Sequence, residues 1–153
     1  MPDQRYAPPA AAVKDVAHER ALAERPRQVR AALLLLWAGI VIGLPVMYYE
    51  YTSAASRAST AAVLVLLVFG VVFTLLAILY YLIGQGRNWA RIAYLLFTLW
   101  SFYMFFTSIG ELAAKPGYVI LLEVLGTMTD LVAIPLLFFG AGAHWFRTMR
   151  EQG

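Results

Sequence analysis

The sequence predicts an all-α integral membrane protein, an antiparallel bundle of four helices with both termini cytoplasmic. Three observations predict it. Apolar residues make up 61% of the 153-residue chain, charged residues 14%, and mean hydropathy is +0.69; a soluble domain averages about 45–50% apolar and about 25% charged. The chain contains four nearly charge-free stretches, each long enough to cross a bilayer. Its twelve lysines and arginines divide ten to two between alternate ends of those stretches.

Residues 1–25 read as a polar cytoplasmic tail. Pro8-Pro9 favours an extended start, and Ala10 to Arg25 is rich in strong helix formers, which predicts a short surface helix. Pro26 ends it and suits the first turn of the next helix. The membrane domain then covers 26–146. Ala31 to Tyr49 carries no charge, nor do Ala58 to Gly86 and Ile92 to Gly110, and the stretch from Pro116 to Phe146 holds only Glu123 and Asp130. A hydrocarbon core of about 30 Å takes about 20 residues at 1.5 Å each. Lipid offers backbone groups no partners, so each stretch should be a closed helix. The expected spans are 28–49, 60–83, 89–110 and 118–141, with a cytoplasmic tail at 147–153.

The connections fit. Tyr49 to Ser59 is polar, Gly84-Gln85-Gly86 suits a helix C-cap with Asn88 capping the next helix, and Lys115-Pro116-Gly117 signals a turn. Tyr48, Tyr49, Tyr51, Tyr80, Tyr81, Trp89, Tyr118 and Trp145 fall near helix ends, where amphipathic rings favour the interface. The first hydrophobic stretch is too long, and too far from the start, for a cleaved signal peptide.

Orientation follows the cations. Arg5, Lys14, Arg20, Arg25, Arg27, Arg30, Arg87, Arg91, Arg147 and Arg150 lie on one side, and Arg57 and Lys115 on the other. The first set should face the cytoplasm of a bacterial inner membrane. The basic pI near 9.3 is thereby explained by the flanks of membrane helices, with anionic lipid as counter-charge; no basic face on a soluble module is left for nucleic acid. Arg87, Trp89, Arg91 and Arg147 are the expected contacts with lipid phosphate and the interface.

The chain has no cysteine, which excludes disulfides, thiolate metal sites and thiol chemistry. His18 and His144 lie in the tail and at the end of the fourth helix, so bis-histidine haem ligation and a zinc site are unsupported. Ser101 and Ser108 have no nearby histidine base. No catalytic residue, cofactor or metal is expected.

Glu123 and Asp130 are the informative pair. A charged carboxylate at mid-membrane costs about 2.5–3.5 kcal/mol on insertion scales. Seven residues apart, the two project within about 20° of each other, with Thr127 between them and Gly126 adjacent, small enough to admit a neighbouring helix. They could form a proton or cation relay, or they could bond hydroxyls of a neighbouring helix, such as Ser101, Tyr103, Thr107 or Ser108. Gly39 and Gly43 form a GxxxG packing pattern. Pro45 should bend the first helix, and Pro135 should kink the fourth just past Asp130.

Pro26-Arg27-Gln28-Val29-Arg30-Ala31-Ala32, Gly86-Arg87-Asn88-Trp89-Ala90-Arg91-Ile92, and Leu136-Leu137-Phe138-Phe139 followed by His144-Trp145-Phe146-Arg147 carry a resemblance. In these stretches the chain resembles a loosely defined group of small bacterial four-helix inner-membrane proteins. The resemblance spans 26–146 and implies topology and bacterial origin, without an activity. The expectation is a non-enzymatic accessory or scaffold protein that binds lipid, another membrane protein or itself; the alternative is a small oligomeric proton- or cation-coupled transporter or channel using Glu123 and Asp130.

Overall fold

A computed structural model describes residues 25–112 and 114–152. The expected surface helix at 10–25 lies outside the described residues except for its last position. The helices are α1 (Arg27–Ala55), α2 (Ser59–Gly84), α3 (Asn88–Thr107), α4 (Ile109–Leu112), α5 (Gly117–Phe138) and α6 (Gly140–Gln152). Among the described residues there are no strands. Four helices, α1, α2, α3 and α5, are long and apolar enough to cross a membrane.

α1 is the centre of the packing, with α2 on one side and α5 on the other, while α3 lies mainly on α2. Neighbours run antiparallel. Gln28 reaches Gly142 at one end of the molecule, where Gly86 also lies under Met149; Glu50 reaches Lys115 at the other. The first end holds the core. Val29, Ala32, Ile83, Ala90 and Leu137 are fully enclosed, together with Leu36, Tyr80, Tyr94 and Ala133. Away from it, large apolar side chains face outward, such as Leu67, Val68 and Val71 on α2 and Trp100 and Phe106 on α3. Soluble monomers rarely expose continuous apolar faces of this kind; hydrocarbon accommodates them.

The turn between α2 and α3 forms as expected. Gly86 adopts φ +76°, Arg87 N–H donates to the Leu82 carbonyl and Gly86 N–H to that of Ile83. This pair of bonds is the Schellman cap. The expected Asn88 cap is not made: Asn88 is already the first helical residue, and its Oδ1 is buried without a bonded partner.

The fourth span ends earlier than 141. α5 runs through Pro135 and stops at Phe138; Phe139 is extended, and Gly140, at φ +61°, starts a separate helix in a new direction. The expected tail at 147–153 is therefore helical through Gln152. α6 is amphipathic. Trp145, Phe146 and Met149 join the core, while Arg147 and Arg150 stay exposed. This corrects the placing of Trp145, and likewise of Tyr80, among the interfacial rings: Tyr80 is buried edge-on between Trp37 and Tyr94, with centroids 5.9 and 5.8 Å away. α1 continues unbroken past Pro45 to Ala55, six residues beyond the expected end.

Two side chains from other helices hold the α5–α6 corner. A helix end leaves carbonyls and N–H groups without intrahelical partners. The Arg91 guanidinium donates to the Leu137 carbonyl at 3.2 Å and lies over the rings of Phe138 and Phe146, 5.1 and 4.6 Å from their centroids. Gln28 Oε1 accepts from Gly142 N–H in the first turn of α6. Arg91 thus turns onto protein rather than out to lipid phosphate. Its cation satisfies the negative end of α5 and two aromatic faces.

Candidate functional site

The structure separates Glu123 and Asp130 and gives each its own partner. On α5, Asp130 accepts a 2.7 Å hydrogen bond from the Tyr94 hydroxyl of α3. Tyr94 is almost fully buried and stacks edge-on with Tyr80; Thr98, one turn on, donates back to the Tyr94 carbonyl. None of the four expected hydroxyl partners is the one used. Replacing Tyr94 with Phe removes the donor and leaves Asp130 half-buried and unbonded. Thermal unfolding in detergent is expected to show a loss of about 1–3 kcal/mol; an unchanged melting curve would mean that this bond contributes nothing.

Glu123 meets a cation that sequence reasoning assigned only to a loop. Lys115 Nζ lies 2.6 Å from Glu123 and 2.9 Å from Glu50. It therefore ties α1 to α5 from the turn before α5. Burial alone would lower the Lys115 pKa, but the bonds to Glu123 and Glu50 outweigh it and hold the ammonium above its ordinary 10.5. One lysine between two carboxylates leaves the triad with one excess negative charge.

Beside the triad a cleft of about 220 Å³ opens between α1, α2, α3 and α5. Gly39, Gly43, Glu123, Gly126 and Thr127 line it, facing Ser101 and the rings of Phe69, Phe102 and Phe105. Asp130 is not part of this lining; it lies toward the core, with Tyr94. The Thr127 hydroxyl donates to the Glu123 carbonyl, a local bond within α5. Gly39 approaches Thr129, and Gly43 approaches Phe73, so the GxxxG pair packs against α5 and α2 of the same chain. A methyl group on Gly126 would meet nothing within 4 Å. The expectation that Gly126 admits a neighbouring helix is thereby replaced: it borders open space.

At the opposite end Arg87, Trp89 and Arg147 are exposed beside the α2–α3 turn and on α6. Among the described residues no three His, Asp or Glu side chains gather as a metal site. Compared with protein-family models, curated proteins and solved structures, the chain matches none.

Sequence reasoning missed Glu50, Tyr94 and Lys115 as parts of the site. Pro116 gave a usable signal. It fixes the chain just before α5, so a lysine one residue earlier can fold back over the first two turns of that helix.

Proposed function

We propose that this is a non-enzymatic, multi-pass inner-membrane protein of bacterial type, with both termini in the cytoplasm, acting as an accessory or partner-binding component. One observation carries this: the enclosed core and the cleft occupy different halves of the molecule. Toward the termini the four long helices close on Val29, Ala32, Ile83, Ala90 and Leu137, and Trp145, Phe146 and Met149 of α6 pack over that end. A conduit needs a continuous polar path; here the cleft has a packed floor, and both membrane carboxylates are bonded within the chain. Exposed Arg87, Trp89 and Arg147 at that end suit contact with anionic headgroups.

Glu123 favours a second possibility. It is a carboxylate on the wall of a membrane-depth cleft, as a proton- or cation-coupled transporter would require. Flux in proteoliposomes separates the two. The accessory role predicts proton and potassium leak equal to that of empty vesicles, unchanged in an E123Q/D130N variant; leak above that of empty vesicles, abolished in the variant, would overturn it. Topology is testable in the same cysteine-free background. R57C should react with a membrane-impermeant maleimide in intact spheroplasts, and R150C only after permeabilisation; the reverse pattern would invert the orientation.

A further inference from the structure

We infer that the cleft between α1, α2, α3 and α5 is a binding site for a compact organic ammonium ion with an apolar body. Three independent features of the cleft converge on that class. The first is charge. Glu123 stands on the wall, and Lys115, its partner, is shared with Glu50. The triad sums to minus one, and among the described residues no other cation bonds either carboxylate. The three side chains keep 17–31% of their exposure, so part of the excess is screened; what remains is felt more strongly than in bulk water, and a cationic guest relieves it.

The second is the wall opposite. Phe69, Phe102 and Phe105 come from α2 and α3. Ring faces attract cations, and aromatic surroundings with a carboxylate suit alkylated ammonium groups, which shed water readily and need no hydrogen-bond acceptors. Glu123 supplies the charge and the rings supply an apolar, aromatic lining. Ser101 and Thr127 are the other polar residues of the lining, and the Thr127 hydroxyl already donates to the Glu123 carbonyl.

The third is space. The volume of about 220 Å³ falls below the roughly 300–1,000 Å³ of drug-sized sites, which suits a compact guest. Glycine at 126 keeps the wall open, since a side chain there would project into the void without touching protein. The enclosed core below closes the site toward the termini.

This binding claim goes beyond the proposed accessory role and fails separately from it: vesicle leak tests the role, and equilibrium binding tests the cleft. The full chain in detergent micelles is titrated calorimetrically with benzyltrimethylammonium and, in parallel, with its uncharged isostere neopentylbenzene. Saturable binding of the cation is expected, weaker by about tenfold or more for the isostere. E123Q should lower cation affinity to the level of the isostere. E50Q should also lower it, although Glu50 does not line the cleft, because Lys115 then neutralises Glu123 alone. G126L should abolish binding of both ligands by filling the void, with an unchanged melting temperature as evidence of folding. Equal affinity for the two ligands, or retained binding in well-folded G126L, would overturn the assignment.

Discussion

Gly142→Ala is expected to unseat α6. A methyl group at this position would collide with the backbone carbonyl oxygen of Leu136, which has no side-chain freedom with which to yield. The corner after Phe138 would have to open, separating Gly142 N–H from Gln28 and drawing Trp145, Phe146 and Met149 out of the core. Overpacking ordinarily destabilises by about 1–3 kcal/mol, and a backbone clash lies at the upper end of that range or beyond it. The measurement is limited trypsin digestion in detergent, with cleavage after Arg147 and Arg150 expected to accelerate, together with a lower melting temperature. Gly126→Ala serves as the control: with open space around it and alanine's better helix propensity, no loss is expected. Equal protease sensitivity in the two variants would show that the corner is not rigid.

Lys115→Met is the second large effect. It strands Glu50 and Glu123 near one another with no counter-charge. Removing one partner of a buried ion pair destabilises by about 3–5 kcal/mol. Lys115 retains about a quarter of its exposure, so a loss nearer 2–3 kcal/mol is expected once solvent screening is counted. The double variant K115M/E123Q should recover much of it, because the interaction energy belongs to the pair. A loss that stays the same in the double variant would mean that the lysine acts through its stem alone. The pH dependence has a definite sign. The folded-state pKa of Lys115 is raised, so its stabilisation is complete below about 10.5 and is lost as the pH climbs through the raised value. Alkaline unfolding of the wild type should therefore resemble K115M at neutral pH.

How much of this was legible in sequence depended on which contacts were local. Spans of about 20 apolar residues and the Gly86 cap are properties of short segments, and they appear as expected. The partner of Asp130 was not local, yet simple arithmetic on depth would have found it. Tyr94 is the seventh residue of α3, about 9 Å from its start, and Asp130 lies eight residues before the end of α5, about 12 Å from it. In antiparallel neighbours those depths match. Ser101, Tyr103, Thr107 and Ser108 are two to four turns too far along. Arg91 was misplaced for a different reason. Its position beside the interface allows two directions for a long side chain, and the unbonded carbonyls at the α5–α6 break draw it inward. The break itself was hidden: Pro135 drew attention to a kink at its own position, whereas the chain turns four residues later, at an extended Phe139 and a left-handed Gly140. Lys115 was counted only as a topological charge, because a turn residue gives no sign of which way its side chain folds.

The unequal lengths of the helices have a consequence for the surrounding lipid. α1 has 29 residues and α3 has 20, about 43 Å against about 30 Å of helix. A bilayer cannot match both at once. A hydrocarbon core of about 30 Å matches α3, so the surplus length of α1 is taken up by tilt or by projection beyond the core. The cleft opens beside the same short helix, through Ser101, Phe102 and Phe105. α3 ends at Thr107, two residues past Phe105 of the cleft lining, so headgroups at that end lie close to the cleft, and membrane thickness becomes a variable that sets access to it.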